Sequence, residues 1–348
     1  MVGVKMGIDF GSSNLTVFAE NKGIVVCEPS VMVCDVSSGE VLAWGSEAKQ
    51  MCGKLPASMR VVRPIRDGVI SDFDAAKMML SRYIETIGNG RLFRPNVLMC
   101  VPDTVTEIAK KSLFNVVMSA GAARACFVSE ALAAAVGAGV SLTEPKGTLI
   151  CDIGGGTTDC AVITMGNIES AKAVNVGGDV LTQAIIDYVL RQYQIELGET
   201  EAENIKRTVG SAVPRKDEIA LSVCGKNCDT GLPSLTEISS GEIYRLLKPY
   251  LDDILNCIRD VLEVTTPELC GDILDSGVLL TGGTANLYGL DQLIEQETGL
   301  KTVKTNEADR CAAFGLGRLL KDMKYLERIG YLFVDETAAE EEYGEGEG

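Results

Sequence analysis

Residues 147–164 read Gly-Thr-Leu-Ile-Cys-Asp-Ile-Gly-Gly-Gly-Thr-Thr-Asp-Cys-Ala-Val-Ile-Thr. Two apolar, β-prone runs flank three glycines and the hydroxyls of Thr157 and Thr158, a pattern that predicts a β-hairpin. Because glycines carry no side chain, backbone N–H groups at the tip could close on a bound anion. Asp152, at the end of the first run, could hold a metal ion through water. The stretch therefore indicates a phosphate site with Mg²⁺, although a simple glycine-rich turn would have the same composition.

A second copy of this pattern lies near the N-terminus, where residues 6–17 read Met-Gly-Ile-Asp-Phe-Gly-Ser-Ser-Asn-Leu-Thr-Val. Asp9 and Gly11 occupy the places of Asp152 and Gly154. Such an internal repeat suggests two related domains, each offering a hairpin to the other. Facing hairpins would hold a phosphate chain from both sides. The duplication of the aspartates favours Mg²⁺ contacts through water over simple roles in turns.

Composition limits the class of protein. The 348 residues can hold two domains, and 46% apolar residues are enough for their cores. The formal charge of −17 argues against nonspecific binding to nucleic acid and against broad attraction to anionic lipid. Twelve cysteines without a secretory signal are typical of reduced thiols in a cytoplasm, and no apolar run is long enough to span a membrane.

The chain has no histidine, so acid–base chemistry must fall to a carboxylate, a lysine or a tyrosine. Glu130 follows a short predicted strand and begins an alanine-rich helix. The helix dipole would favour a carboxylate there in any protein. Between two phosphate hairpins, however, the same carboxylate could orient an attacking water. Cys224 and Cys228 lack a second pair to complete a zinc site, so we interpret them as ordinary thiols.

Strands and helices alternate twice along the chain, which predicts two α/β domains with mixed sheets. The predicted divisions are a first domain at 1–145 with a subdomain inserted at about 30–70, a second domain at 146–310 with a subdomain inserted at about 179–239, a helical segment at 311–334 that returns to the first domain, and an acidic disordered tail at 335–348. Capping signals mark three helix starts: Thr104 with Glu107, Ser239 with Glu242, and Asp179 alone.

The two hairpins, the Ser-Glu-Ala-Leu-Ala-Ala-Ala segment at 129–135 and the Leu-Thr-Gly-Gly strand at 280–283 together resemble the actin and sugar-kinase superfamily. Four further segments are similar to bacterial actin homologues of the MreB type. They are Gly-Ile-Val-Val at 23–26, Glu-Pro-Ser-Val at 28–31, Arg-Pro-Ile-Arg-Asp-Gly-Val-Ile at 63–70 and Thr-Gly-Leu-Pro at 230–233. The similarity extends from Met6 to about Leu320. It implies two actin-like (ribonuclease H-like) domains with a nucleotide in the cleft between them.

The resemblance also implies a function: an ATPase that polymerises into membrane-associated filaments and helps determine cell shape by organising cell-wall synthesis. Glu130 and Thr157 would then be catalytic, and Asp9 and Asp152 would hold Mg²⁺ through water. The residues implied to bind ATP are Ser12, Ser13, Asn14, Gly155, Gly156, Thr157, Glu203, Asn204, Ile205, Lys206, Thr281, Gly282, Gly283, Thr284 and Ala285.

Some positions depart from the family pattern. Ala131 and Ala308 stand where the family usually has proline, Thr284 replaces a third glycine, and the first loop reads Gly-Ser-Ser-Asn instead of Gly-Thr-Ala-Asn. None of these changes removes a required chemical group. Together they suggest a diverged paralogue.

Leu92 and Phe93 lie in a loop bordered by Arg91 and Arg94. They could fold back onto their own domain, but MreB-type proteins carry a similar apolar loop, which favours insertion into the inner face of the cytoplasmic membrane. The partners that the resemblance implies are further copies of the chain, that membrane and cell-wall elongation proteins. The net charge argues against nucleic acid, and the expected location is cytoplasmic. A small-molecule kinase or a chaperone-type ATPase of the same superfamily is the alternative, although we find neither a recognisable substrate pocket nor a separate peptide-binding domain.

Overall fold

The computed structural model describes residues 4–87 and 94–338. The strands in this part of the chain are β1 Lys5–Phe10, β2 Asn14–Ala19, β3 Gly23–Pro29, β4 Met32–Asp35, β5 Val41–Trp44, β6 Met59–Val62, β7 Ile65–Arg66, β8 Val69–Ile70, β9 Asn96–Val101, β10 Arg124–Ser129, β11 Thr148–Ile153, β12 Thr158–Thr164, β13 Asn167–Val174, β14 Ile195–Glu196, β15 Ala220–Asn227, β16 Pro233–Ser239, β17 Val278–Thr281 and β18 Thr302–Lys304.

The helices in the same ranges are α1 Gly45–Met51, α2 Phe73–Ile87, α3 Glu107–Ser119, α4 Glu130–Ala138, α5 Gly178–Tyr193, α6 Glu199–Val209, α7 Ser240–Glu263, α8 Pro267–Ser276, α9 Leu290–Thr298, α10 Cys311–Leu319 and α11 Met323–Arg328. Short 3₁₀ turns lie at Gly283–Asn286, Ala308–Arg310 and Leu320–Asp322. None of the helices within the described ranges is long and apolar enough to cross a membrane.

Two five-stranded mixed sheets repeat one topology. Their strand orders are β10-β9-β1-β2-β3 and β18-β17-β11-β12-β13. In each sheet the three strands that come first in the sequence, β1–β3 or β11–β13, form an antiparallel meander. Two later strands, β9 and β10 or β17 and β18, run parallel to β1 or β11 on its other side. Asp9 pairs with Thr16, and Asp152 pairs with Asp159 at the matching position. The repeat inferred from two hairpins therefore extends to both sheets.

Each half also carries a small three-stranded sheet. The first has the order β5-β4-β6 and lies between β3 and β9 in the sequence. The second has the order β14-β15-β16 and lies between β13 and β17. A two-stranded hairpin, β7–β8, follows the first small sheet and returns the chain toward the first glycine-rich hairpin.

Helices α4 and α10 lie between the two large sheets and form a core with apolar residues from both. The helix backbones approach so closely that a Cβ atom at Gly137 or Gly315 would overlap a carbonyl oxygen of the facing helix. A Cβ at Gly7 in β1 would lie 2.7 Å from the Cβ of Leu316. Helix α10, which follows the second large sheet in the sequence, therefore packs against the first large sheet.

The capping predictions had different outcomes. Ser239 and Glu242 form the predicted reciprocal capping box at the start of α7, with bonds of 3.3 and 2.8 Å. The box predicted at Thr104 is wrong, because α3 begins at Glu107 and Thr106 Oγ1 caps it. Asp179 is not an N-cap either. Helix α5 begins at Gly178, so Gly177 is its N-cap. Glycine suits this position because a Cβ there would lie 2.5 Å from the Gly155 carbonyl oxygen.

Candidate nucleotide site

The tips of hairpins β1–β2 and β11–β12 meet face to face. A Cβ at Gly155 would overlap Ser13 Oγ, and one at Gly156 would lie 2.6 Å from Ser12 Oγ. Ser12 Oγ in turn accepts a hydrogen bond from the Gly68 N–H at 3.2 Å. A side chain at Gly155 would also press on Ser13 Cβ, so glycine keeps the two tips in contact there.

The start of α5 is fastened to the second hairpin. The Gly178 and Asp179 N–H groups donate to the Gly154 and Gly155 carbonyls at 3.0 and 2.8 Å. The Thr284 hydroxyl also donates to the Gly154 carbonyl, at 2.7 Å. The Thr284 bond brings the segment at 282–284 against the hairpin. Gly282 has φ of +86°, and a Cβ there would lie 2.6 Å from an Asp152 oxygen, so this position also requires glycine.

Three predicted carboxylates lie behind the tips. Burial raises the pKa of Asp9 to about 6. Burial, followed by the charge of Asp159, raises the pKa of Asp152 to about 8, while the neighbouring Thr281 hydroxyl partly opposes the rise. Burial and the charges of Asp159 and Asp152 raise the pKa of Glu130 well above its ordinary value. Burial and mutual repulsion thus favour the neutral form of these carboxyl groups, and a bound cation would offset this by stabilising their ionised form.

Two further carboxylates, Asp103 and Asp159, were missed by the sequence analysis. Burial raises the pKa of Asp159 to about 7 and that of Asp103 to about 6. Asp159 on β12 lies opposite Asp152, and the available signal was a charged residue directly before the apolar run at 160–163. Asp103 follows β9, the parallel neighbour of β1. Since ligands bind outside the carboxyl ends of parallel strands, its position was the available signal.

The arrangement fits a magnesium ion that is held through water. In the described part of the chain, no group of three or more Cys, Asp or Glu side chains is placed to hold a metal ion directly. Asp9 and Asp152 nevertheless supply the hard carboxylate oxygens that Mg²⁺ prefers, and Mg²⁺ usually keeps several of its waters. Contacts through water, as predicted, therefore suit these residues.

A cavity opens beside the hairpin tips. Its polar wall includes Asp9, Ser12, Glu130 and Thr157. Apolar residues complete it, among them Ile65, Val69, Val105 and Leu113. Glu130 and Thr157 come from opposite halves of the molecule and line the same space, as an attacking water would require.

Lys206 is buried, and its ammonium group is surrounded by acceptors. Its Nζ lies 2.7 Å from the Gly178 carbonyl oxygen, 2.9 Å from Thr182 Oγ1 and 2.6 Å from Glu203 Oε2. An ammonium group has three N–H donors, so all of them are used. Lys206 therefore supports the start of α5, and it would have to exchange a partner to contact ribose or adenine. Glu203 is less buried, and its carboxylate also accepts a hydrogen bond from the Thr182 hydroxyl at 2.8 Å.

Other predicted residues lie elsewhere. The side chains of Ile205 and Ala285 pack in the core of the second half, so a contact with a nucleotide would have to come from their backbone. Asn204 is exposed and accepts a 3.4 Å hydrogen bond from the Thr208 hydroxyl. Asn14 is exposed at the start of β2. Leu92 and Phe93 lie outside the described residues, so the membrane loop stays a prediction.

Comparisons with known proteins agree with this architecture. The family model for MreB/Mbl proteins matches residues 3–328. The chain is 37% identical to the cell shape-determining protein Mbl of Bacillus subtilis (strain 168) over 322 residues, which cover 92% of this chain and 97% of Mbl. It is also 37% identical to the cell shape-determining protein MreB of Escherichia coli (strain K12), over 91% of this chain and 93% of MreB.

A crystal structure of Spiroplasma citri MreB5 bound to ADP superposes with a TM-score of 0.89 at 32% identity, and it covers 94% of this chain and 99% of MreB5. MreB5 bound to AMPPNP gives a TM-score of 0.88 at the same identity. The fold is therefore the predicted actin-like fold, and the chain belongs to the MreB/Mbl family.

Proposed function

We propose that this chain binds ATP between the tips of hairpins β1–β2 and β11–β12 and hydrolyses it to ADP and phosphate. The observation that carries the proposal is the meeting of Gly155 and Gly156 with Ser13 and Ser12 in front of buried carboxylates. Backbone N–H groups and hydroxyls at such tips can surround phosphate oxygens from both sides. The ADP- and AMPPNP-bound structures of Spiroplasma citri MreB5 support the choice of an adenine nucleotide.

Glu130 and Thr157 would orient the attacking water, because they line one cavity from opposite halves. In the absence of histidine, Glu130 is the titratable group best placed for that work. Mg²⁺ held through water by Asp9 and Asp152 would neutralise phosphate charge. Thr284 and Gly282, beside the second hairpin, would close the adenine side of the site.

We further propose that the chain assembles into filaments, which two pairs of exposed apolar side chains support. Leu232 precedes β16 and Leu235 lies on it, and they are 64% and 71% exposed; Val264, after α7, and Leu274, on α8, are 72% and 68% exposed. Strand β15, the partner of β16, packs on α6 near the cleft, whereas α8 lies at the opposite end of β11, where Asp272 accepts from the Gly147 N–H at 2.7 Å. Two different surfaces on one chain are what a head-to-tail polymer requires.

A filament of this kind would work on the inner face of the cytoplasmic membrane. Leu92 and Phe93 would insert into lipid, and the fact that the Mbl and MreB relatives are cell shape-determining proteins supports a task in organising cell-wall synthesis. The chain itself would be cytoplasmic.

One experiment tests hydrolysis and assembly together. Purified full-length protein is incubated with Mg²⁺-ATP, and phosphate release, sedimentation and electron microscopy are followed in the same sample. We expect phosphate release together with pelleted filaments, and neither in Mg²⁺-free buffer with chelator. Phosphate transfer to a small-molecule acceptor without assembly would instead favour the kinase alternative.

A further inference from the structure

A chain of polar contacts joins the hairpin that carries Thr157 to the helix that begins with Glu130, across the boundary between the two halves. Asp159 lies on β12, two residues after Thr157 at the hairpin tip. Asp159 Oδ1 accepts a hydrogen bond from the backbone N–H of Asp103, at 3.3 Å. The link therefore passes from the second half to the end of β9 in the first half.

Asp103 continues the chain through its side chain. Its Oδ2 accepts a hydrogen bond from Ser129 Oγ at 2.8 Å, and Ser129 Oγ accepts from the Leu132 N–H at 3.1 Å. Ser129 is the N-cap of α4, and Glu130 is the first residue of that helix. A hydroxyl has only one proton. Because the Ser129 hydroxyl donates its proton in a hydrogen bond to Asp103, the oxygen lone pairs of Ser129 are left to accept from the N–H groups at the helix start.

We propose that Asp103 is a positioning residue that holds Glu130 in register with Thr157. The role rests on the proposed ATP hydrolysis. Glu130 and Thr157 line the cavity, whereas the Asp103 side chain acts from behind it through Ser129, and the Asp103 backbone N–H keeps the link to Asp159. A water must meet both cavity residues at once, so a small displacement of one reduces the rate steeply. The nucleotide itself would be bound at the hairpin tips, so its affinity does not depend on Asp103.

Two substitutions separate the acceptor from the charge. Asp103→Ala removes the acceptor for Ser129, while Asp103→Asn keeps an oxygen at that place and loses only the charge. We expect Asp103→Ala to lower kcat about tenfold, with KM for ATP and the thermal midpoint within about twofold and a few degrees of wild type, as a positioning loss predicts. Asp103→Asn should recover most of the rate. Thr104→Ala, at the exposed neighbour, is the matched control.

Amide hydrogen exchange provides a readout that does not depend on hydrolysis. Asp103→Ala should speed exchange at residues 130–133 of the ligand-free protein, where the Leu132 N–H meets the Ser129 cap, and Asp103→Asn should not. A wild-type kcat, or unchanged exchange in Asp103→Ala, would overturn the inference. A joint loss of ATP affinity, rate and thermal midpoint would also overturn it by showing a merely structural role. An inactive wild type would instead refute the proposed function, and exchange would still decide whether Asp103 orders the helix start.

Discussion

Arg63 Nη2 lies 2.7 and 2.6 Å from the two carboxylate oxygens of Glu199. Arg63 follows the first small sheet, and Glu199 begins α6, the helix that carries Glu203 and Lys206. The ion pair therefore connects the two halves beside the candidate nucleotide site. Its side chains are 25% and 52% exposed, so water and salt weaken the attraction.

We predict that this pair slows release of bound nucleotide. Arg63→Glu should speed dissociation of a fluorescent ATP analogue about two- to fivefold, the effect of a surface pair worth roughly 0.5–1 kcal/mol. The swapped double variant Arg63→Glu, Glu199→Arg should restore slow release, and Arg60→Glu serves as a control for the charge change. Stopped-flow displacement measures the rate. Release from the swapped variant that is as fast as from the single variant would show that the pair does not close the cleft.

Asp152→Ala should abolish tight, Mg²⁺-dependent binding of ATP. The reason is that phosphate charge would lose its metal bridge to the second hairpin. Calorimetric titration with and without Mg²⁺ measures the effect, and Asp253→Ala on the exposed face of α7 is the matched control. If Asp152→Ala keeps both its ATP affinity and its Mg²⁺ dependence, the metal assignment is wrong.

Glu130→Ala should still bind ATP but hydrolyse it at least about tenfold more slowly, as expected for loss of a water-orienting group. Phosphate release under single-turnover conditions separates this step from binding. Glu130→Gln, which keeps the shape and removes the charge, tests whether the carboxylate itself is needed. A wild-type rate in Glu130→Ala would mean that the residue only favours the start of its helix.

The buried carboxylates predict a dependence of stability on pH. The pKa of Asp103 is raised from 3.8 to about 6 in the folded protein, so the folded state binds more protons between these values. The free energy of unfolding should therefore fall as pH rises through this range. Asp103→Asn should reduce the fall between pH 5 and pH 7 by about 1 kcal/mol, because one pKa unit corresponds to about 1.4 kcal/mol. Urea unfolding of the ligand-free protein measures it, and identical pH profiles would contradict the prediction.

The features that could be predicted from the sequence are those that form a local pattern and occur twice in the chain. The glycine-rich turns, Asp9 and Asp152 share one pattern, and this pattern was enough to expect two facing hairpins. Asp103 and Asp159 were missed because their meeting depends on how β9 and β12 from different halves come together, which no local spacing encodes.

Lys206 shows a second limit of the sequence. A lysine on a polar helix is by default a solvated residue, and the resemblance implied a ligand contact. The three acceptors that occupy its ammonium group come from α5 and α6 together, and only the packing of these two helices reveals them.

The Leu92–Phe93 loop leads to the last prediction, which joins assembly to the membrane. Each fully buried apolar side chain contributes roughly 1.5–3 kcal/mol, so one such pair would hold a monomer on lipid only weakly. The net charge of −17 opposes binding to anionic lipid, although Arg91 and Arg94 help locally. A filament repeats the loop along one face, and repeated weak contacts become firm attachment through effective concentration.

Liposome sedimentation with Mg²⁺-ATP tests this coupling. Assembled wild type should pellet with lipid, and wild type kept monomeric without nucleotide should stay in the supernatant. Leu92→Ser, Phe93→Ser should assemble but leave the liposomes bare, whereas Leu332→Ser, at another exposed leucine, should behave as wild type. If filaments of the double variant still coat the liposomes, the anchor lies elsewhere in the chain, because no other property of the filament was changed.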